Sequence, residues 1–303
     1  MLRPLLLFLS QSTLVKKFVM HFPLAKKVAR RYVAGETLED ALFVTRTLTA
    51  QGLLVALDLL GENVERPDAA SEATQEYLRM LGRIQDSGLQ CYVSLKLTQL
   101  GLDQGMDVAL ANLLTILEAA KKIGLFVRID MEGSKYTDST VAVFRQAREQ
   151  FDNVGIVIQA YMRRSKSDIA LINRMGGKAR LCKGAYAEPP SVAYQTRREV
   201  TSNMKDLMRD LVRDGHYPAI ASHDEDVIQE TLRTVKEYGI TPDQFEFQML
   251  YGIRRERQLE LHKQGYNVRI YVPFGNDWYP YFMRRLAERP ANLVFFITAL
   301  FRG

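Results

Sequence analysis

The carboxyl-terminal part of the chain places four side chains that could bind an anion on one face of a predicted helix. On a helical wheel of about 100° per residue, Arg284, Arg285 and Glu288 fall within about 60° of Tyr281. The opposite arc is apolar and suited to packing, with Phe282, Met283, Leu286 and Ala287. Two adjacent guanidinium groups suit a small carboxylate or phosphate, because each planar fork can form paired hydrogen bonds. The alternative is a solvated face on which Arg and Glu pair at i,i+3 and i,i+4.

A predicted strand and a turn precede this helix. Residues 269–274, RIYVPF, are mostly β-branched or aromatic and predict a strand, and Gly275-Asn276-Asp277 predicts a turn. Asp277 is a good helix N-cap, Pro280 is tolerated in a first helical turn, and Pro290 ends this helix or opens another. The two arginines are therefore expected just beyond the carboxyl end of a strand.

Short apolar or alternating segments recur along the chain at intervals of about 24 to 40 residues, with helical periodicity between them. They occupy residues 53–59, 91–97, 125–131, 154–160, 178–183, 218–223, 245–250 and 268–274. This alternation predicts an α/β fold, a (βα)₈ barrel of the TIM type. Residues 1–50 predict extra N-terminal helices packed on a catalytic barrel at 51–303, a single domain overall. A doubly wound sheet is the alternative, but it usually carries a Gly-x-Gly-x-x-Gly loop where this chain reads LDLLGENV.

Polar residues concentrate at the carboxyl ends of the predicted strands, where a barrel of this type carries its chemistry. They include Ser94, Lys96, Thr98, Arg128, Asp130, Glu132, Gln159, Arg180, His223, Gln248, Arg269 and Tyr271. Lys96 and Asp130 lie on neighbouring strands and could form a buried ion pair, which is more often functional than stabilising. His223 could equally be a hydrogen-bonded core histidine.

Composition narrows the function classes. The chain has 303 residues, of which 47% are hydrophobic and 25% charged, and its net charge is +6. The basic residues are interspersed with acidic ones, so nucleic-acid binding is not favoured, although a weak attraction to an anionic membrane surface is compatible with the charge. Cys91 and Cys182 predict reduced, buried thiols in a cytoplasmic protein, and no histidine has metal-ligand spacing, so we predict no metal site. The apolar run at residues 5–9 is too short for a transmembrane helix or a secretory signal.

Six ordered motifs carry a resemblance to a known family. They are SLKLTQLG with Lys96, RIDME with Asp130, GIVIQAY with Gln159, RLCKGAY with Arg180, FEFQMLYG, and YFMRRLAERPAN. The set resembles proline dehydrogenase in its monofunctional bacterial form. The resemblance implies a flavoprotein with a distorted (βα)₈ barrel whose last helix lies over the mouth. It also implies oxidation of L-proline to Δ1-pyrroline-5-carboxylate, with electrons passing from FAD to a membrane quinone.

The resemblance assigns roles by position. Arg284 and Arg285 would bind the proline carboxylate, Glu288 would orient them, and Lys96 would reach the same carboxylate while pairing with Asp130. Leu250, Tyr271 and Tyr281 would pack on the pyrrolidine ring, and Arg180 would lie beside the reactive nitrogen of the flavin. Asp130, Arg180, Lys96 and Tyr271 are thus the catalytic candidates. Flavin contacts are implied for Met131, Gln159, Arg180, Lys183, Gly184, Ala185, Ser222 and His223.

The chain departs from the family pattern in places. Cys182 stands where valine is common and Ser222 where threonine is common. Residues 188–203 differ more, which leaves Thr196, Arg197 and Arg198 as candidates for the adenosine half of FAD. We expect a separate pyrroline-5-carboxylate dehydrogenase to use the product, and a cytoplasmic location with contact to the inner face of the membrane.

Three other functions remain open from the sequence. The first is a Schiff-base lyase on the same barrel with Lys96 or Lys183 as nucleophile. The second is a non-catalytic barrel that binds small carboxylates. The third is a membrane-surface protein that acts through its basic N-terminal helices.

Overall fold

A computed structural model describes residues 28–61 and 68–288 of the chain and contains a closed barrel of eight parallel strands. The strands follow one another around the ring in chain order, and β8 closes it by pairing with β1. Their bounds are Leu54–Leu59 (β1), Tyr92–Leu95 (β2), Val127–Ile129 (β3), Val154–Gln159 (β4), Lys178–Cys182 (β5), Ala219–Ala221 (β6), Glu246–Leu250 (β7) and Val268–Phe274 (β8). Every strand lies within the segment predicted for it, so the predicted (βα)₈ barrel is confirmed.

Nine α-helices lie in the described ranges. They are Leu38–Thr49 (α1), Ala69–Ser87 (α2), Met106–Lys122 (α3), Thr137–Gln150 (α4), Ser165–Arg174 (α5), Arg197–Asp214 (α6), Glu225–Glu237 (α7), Arg255–Lys263 (α8) and Trp278–Glu288 (α9). One helix follows each strand, from α2 after β1 to α9 after β8. A 3₁₀ turn at Ser134–Tyr136 precedes α4. The helices predicted within residues 1–27 lie outside the described residues.

The outer position beside β8 is filled by α1 instead of by the helix that follows β8. The helix α1 begins at a capping box in which Thr37 Oγ1 accepts from the Asp40 backbone N–H, and it packs against both β1 and β8. The helix α9 instead extends over the mouth. The charge of Arg285, on α9, acts on the thiol of Cys182 at the end of β5, on the far side of the ring from β8. The distorted barrel with its last helix over the mouth is therefore confirmed.

Strand alternation separates an apolar outer layer from a polar interior, because successive side chains point to opposite faces. The outward residues are buried under the helices and form the main core, with Val55, Leu57, Val93, Leu95, Val127, Ile129, Ile156, Leu181, Ile220, Phe247, Ile270 and Val272. The inward positions carry most of the buried charges. In the part of the chain that the structure describes, every helix is too short or too polar to cross a lipid bilayer.

Candidate active site

Five ionisable side chains converge at the carboxyl ends of the strands. We call this set the mouth cluster, and its members are Asp58, Lys96, Asp130, Arg180 and Tyr271. Four of them are buried and Tyr271 is partly buried. The carboxyl ends of a parallel barrel all open on one side, which is why residues far apart in the sequence meet there.

Arg180 and Tyr271 both bind Asp130. Arg180 Nη2 lies 2.6 Å from Asp130 Oδ1, and the Tyr271 hydroxyl donates to Asp130 Oδ2 at 2.7 Å. The Arg180 guanidinium also lies 5.0 Å from the centre of the Tyr271 ring. Burial, reinforced by the Asp130 carboxylate, raises the pKa of Tyr271 well above its usual value, so the phenol stays protonated as a donor.

Lys96 pairs with a residue that the sequence analysis did not select. Its ammonium lies 3.0 Å from Asp58 Oδ1 at the end of β1. The predicted ion pair between Lys96 and Asp130 is therefore wrong, since Asp130 is taken by Arg180 instead. The strand β2 has two neighbours, and the Lys96 side chain turns towards β1 and not towards β3.

A second charged layer lies below the mouth cluster. Arg269 donates from Nε to both carboxylate oxygens of Glu246, at 2.9 and 3.0 Å, and from Nη1 to the Val55 carbonyl at 3.0 Å. Arg128 donates from Nη1 to the Lys178 carbonyl at 2.7 Å. A Cβ at Gly155 would lie 2.7 Å from this Nη1, so the glycine in β4 leaves room for the guanidinium. This layer is part of the barrel core, and Gln248 links it to Arg180.

The residues expected to contact a flavin lie along the ends of β3 to β6. Gln159 donates from Nε2 to the Met131 carbonyl at 3.1 Å, while its Oε1 is buried and has no hydrogen-bond partner. Gly184 has a φ of +99°, and a side chain there would overlap the Tyr161 ring. Ala185 follows it in the same loop and is partly buried. A buried acceptor without a partner and a loop that tolerates only glycine suit a flat polar ring that approaches the backbone.

Three further candidates for cofactor contacts already have protein partners. His223 accepts the Leu250 backbone N–H at Nε2, at 2.9 Å, and Ser222 Oγ accepts the Asp224 backbone N–H at 3.1 Å. Lys183 donates to Thr201 Oγ1 at 2.8 Å and also binds Asp224. The hydrogen bond of His223 agrees with its interpretation as a hydrogen-bonded core histidine. The residue also lies just after β6, beside the other candidates for cofactor contacts.

The segment at 188–203 carries structural roles that the sequence analysis did not foresee. Thr196 is the N-cap of α6 and forms a capping box with Glu199. Arg197 lies 3.3 Å from Asp224, and Arg198 is exposed. The Thr196 hydroxyl is occupied by the helix end, which leaves the two arginines as the more accessible candidates.

The face of α9 that the sequence predicts to bind an anion carries Tyr281, Arg284 and Arg285. Tyr281 is buried, Arg284 and Arg285 are partly buried, and the Arg285 guanidinium lies 5.2 Å from the centre of the Tyr281 ring. On the packing side, Phe282 is fully buried against Tyr32 and Trp278. The side chain of Glu288 lies outside the described residues, as do those of Leu286 and Ala287. Leu250 ends β7 beside His223.

Two buried carboxylates inside the barrel were missed from the sequence, Asp58 and Glu246. In both strands the alternation of apolar and polar residues, LVALDL and EFQML, would have placed these carboxylates inside the barrel. The described residues contain no group of three or more His, Cys, Asp or Glu that could hold a metal ion.

The proline dehydrogenase family profile matches residues 41–297 of this chain. The chain belongs to the proline dehydrogenase family. It is 41% identical over 302 residues to proline dehydrogenase 1 of Bacillus subtilis (strain 168), and the match covers 100% of both chains. It is 39% identical over 281 residues to the proline dehydrogenase of Deinococcus radiodurans, covering 91% of each chain. Family membership makes this chain an oxidoreductase.

The fold also matches solved structures of larger proteins. The crystal structure of proline utilization A from Bdellovibrio bacteriovorus inactivated by N-propargylglycine superposes with a TM-score of 0.82 and 23% identity. The match covers 87% of this chain and 33% of that one. The family's barrel is thus the same fold as part of that longer chain.

Proposed function

We propose that this protein oxidises L-proline to Δ1-pyrroline-5-carboxylate, with FAD as the hydride acceptor and a membrane quinone as the electron acceptor. The observation that carries the proposal is the position of α9. This helix holds two arginines over a buried cluster that contains Lys96, Asp130 and Arg180, in a chain of the proline dehydrogenase family. Such an arrangement can bind the carboxylate of a small substrate from above and act on its ring from below.

The ends of β3 to β6 fit an FAD. Gln159 Oε1 offers a buried acceptor to a ring N–H, and the backbone at Gly184 can approach a flat ring because it has no side chain. The other candidates for flavin contacts follow the carboxyl ends of β3, β5 and β6, and they are Met131, Lys183, Ala185, Ser222 and His223. When bound there, FAD would accept the hydride that proline loses.

The substrate carboxylate would be held by Arg284, Arg285 and Lys96. Charge-assisted hydrogen bonds of this kind are roughly twice as strong as neutral ones, and two guanidinium forks fix orientation as well as affinity. The apolar faces of Leu250, Tyr271 and Tyr281 would pack against the pyrrolidine ring. Because Tyr271 is tied to Asp130 by a hydrogen bond, its ring is held in one orientation.

The cations of the site would also favour the reactive form of the substrate. Proline is mainly a zwitterion in water, and its ammonium group has no lone pair to form the imine as hydride leaves. A bound proline must therefore lose a proton before or during the transfer. Arg284, Arg285, Lys96 and Arg180 lower the pKa of an ammonium placed among them, since like charges disfavour it.

Arg180 would stabilise the negative charge that the hydride carries from the substrate to its acceptor. A fixed cation beside developing charge lowers the barrier, and arginine keeps its charge at working pH. The bond to Asp130 holds the guanidinium in place within the barrel. The same bond keeps Asp130 close to the reacting groups.

A quinone acceptor requires that the protein meet a membrane surface. The first 35 residues of the chain hold seven basic residues (Lys or Arg) and no acidic ones (Asp or Glu). The other 268 residues hold 34 basic and 35 acidic residues. Arg30 and Arg31 from this basic region join Arg255 around a cavity of about 300 Å³. Basic residues beside apolar ones attract anionic lipids, and sedimentation with phosphatidylglycerol vesicles but not with phosphatidylcholine vesicles would support this part of the proposal.

The Schiff-base alternative is disfavoured by the contacts of the two lysines. A nucleophilic lysine must present its amine to a carbonyl substrate. Lys96 lies against the Asp58 carboxylate and Lys183 against Asp224, so each amine is already engaged by a carboxylate.

The proposal is tested by turnover. Purified protein supplied with FAD should reduce a soluble quinone analogue when L-proline is added, and mass spectrometry should detect pyrroline-5-carboxylate for a separate dehydrogenase to consume. Binding of proline without turnover would instead support a non-catalytic carboxylate-binding barrel. A colourless protein that borohydride traps with a carbonyl substrate would support the lyase.

A further inference from the structure

Asp58 is a buried carboxylate at the mouth to which the mechanism above assigns no role. It lies near the end of β1, opposite Ser94 of β2 and Pro273 of β8, and only 1% of its surface is exposed. Its Oδ1 accepts from the Lys96 ammonium at 3.0 Å. Its Oδ2 is buried and has no hydrogen-bond partner.

A carboxylate in this state is costly to keep in a barrel. Burying a charge is unfavourable unless the charge is paired, and each unsatisfied oxygen adds to the cost. Burial raises the pKa of Asp58, and the nearby Asp130 adds to this effect, while the Lys96 ammonium and the Tyr271 hydroxyl oppose it. Stability alone would favour an apolar residue here, so a function that uses the Asp58–Lys96 pair is the more economical explanation.

The ionisable groups near the Asp58–Lys96 pair come from several elements. They are Tyr77, Asp130, Glu132, Arg180 and Tyr271. Asp130 is bound to Arg180, and Glu132 accepts from the Thr98 backbone N–H and hydroxyl at 3.2 and 2.6 Å. Tyr77 donates to Gln99 at 2.8 Å. Asp58 is therefore the carboxylate that contacts Lys96 directly among the described residues.

A flexible lysine needs such a partner to recognise a carboxylate. The Lys96 stem has four rotatable methylene groups, and its ammonium is a point charge without the fixed geometry of a guanidinium. A carboxylate beneath it holds the ammonium in position. We propose that Asp58 is a positioning residue that acts through Lys96 to recognise the substrate carboxylate.

This inference rests on the proposed function, because it requires Lys96 to contact the substrate carboxylate. It goes beyond that function by assigning the recognition to a pair of residues from β1 and β2. It also predicts that Asp58 affects the binding only of ligands with a carboxylate. The affinity for substrate analogues without a carboxylate should not depend on Asp58.

The test uses the FAD-loaded protein and two matched ligands, cyclopentanecarboxylate and cyclopentanol. Titration against the flavin spectrum should show that Asp58→Asn lowers the affinity for cyclopentanecarboxylate by about tenfold to a hundredfold. Cyclopentanol should bind the variant and the parent protein equally. The KM for proline should rise by a similar factor while kcat changes less.

A double substitution shows whether Asp58 acts through Lys96. In a Lys96→Met background, adding Asp58→Asn should cause no further loss of carboxylate affinity, because its target is gone. The control is Asp168→Asn, which breaks a buried carboxylate's pairing with Arg164 on α5, outside the barrel. This control should leave both ligands unaffected.

Two results would overturn the inference. One is an unchanged affinity for cyclopentanecarboxylate in a folded Asp58→Asn protein. The other is an equal loss for both ligands, which would make Asp58 structural only. If the parent protein itself bound neither the carboxylate nor proline, the proposed function would fail first, so the two failures are distinguishable.

Discussion

Arg180 and Asp130 form a buried ion pair inside the barrel, with Arg180 Nη2 2.6 Å from Asp130 Oδ1. The two residues lie on β5 and just after β3, strands that are not adjacent in the ring. The pair therefore crosses the interior, and the Tyr271 hydroxyl joins it from β8. These two contacts hold the Asp130 carboxylate and the Arg180 guanidinium in place inside the barrel.

Arg180→Ala should slow flavin reduction by proline strongly, by about a hundredfold to a thousandfold, while the variant retains some FAD. The bound flavin should also become harder to reduce. Arg180→Lys should recover only part of the rate, because an ammonium cannot reproduce the planar fork. Stopped-flow reduction and potentiometry on the same samples provide the measurement.

The control for this prediction is Arg164→Ala. Arg164 is also an ion-paired arginine, bound to Asp138 and Asp168, but it lies at the start of α5, outside the barrel. The flavin of the Arg164→Ala variant should be reduced by proline at the parental rate. A normal rate and an unshifted potential in Arg180→Ala would show that Arg180 is structural.

Arg284→Met or Arg285→Met should weaken a proline-like carboxylate inhibitor by about tenfold to a hundredfold, since each removes a charge-assisted hydrogen bond. Phe282→Leu should have little effect on affinity, because Phe282 packs on the opposite face of α9 against Tyr32 and Trp278. Titration of the inhibitor against the flavin spectrum compares the three variants. Equal affinities in all three variants would show that these arginines do not bind the ligand carboxylate and would support the alternative of a solvated face.

Most of the barrel could be predicted from the sequence, because strand and helix periodicities alternate in it and every strand falls within its predicted segment. The position of α9 over the mouth came from the family resemblance, since periodicity does not say where a helix packs. The ion-pair partners could not be predicted. Lys96 has a carboxylate on each neighbouring strand, and only the closed barrel shows that its side chain reaches Asp58.

Gly184→Ala should lower the melting temperature and reduce FAD retention. The residue adopts a φ of +99°, and an added Cβ would overlap the Tyr161 ring. Strain of this kind costs about 1–3 kcal/mol. Gly82→Ala is the matched control, because Gly82 lies within α2 and nothing lies within 4 Å of an added Cβ.

The control should respond in the opposite direction. Alanine in a helix interior is favoured over glycine by about 0.5–1 kcal/mol, so Gly82→Ala should raise the melting temperature slightly. Thermal unfolding with and without added FAD separates the two effects of Gly184→Ala. A Gly184→Ala protein as stable and as yellow as the parent would exclude close backbone contact at this loop.

Cys91 is buried as predicted, whereas Cys182 is only partly buried. Cys182 should nevertheless react slowly with a thiol reagent at pH 8 in the native protein and quickly after denaturation. Burial raises the pKa of Cys182 to about 11 from 9.0, so roughly 0.1% of it is thiolate at pH 8. Fast labelling of the native protein at pH 8 would contradict the raised pKa of Cys182.

The stability of the folded protein should also depend on pH through Cys182. The stabilisation that the protonated thiol provides is present below pH 9 and is lost as the pH rises through about 11, because the folded state keeps the proton longer. Cys182→Val should remove that pH dependence, as measured by denaturant unfolding at pH 8 and pH 10.

The visible spectrum of the purified protein under anaerobic conditions shows whether proline reduces a bound flavin. With FAD bound, the protein should show an oxidised flavin spectrum that L-proline bleaches, and Arg180→Ala should bleach far more slowly. An oxidised flavin spectrum that excess proline leaves unchanged, or a protein that binds no flavin when FAD is supplied, would show that this protein does not oxidise proline through FAD.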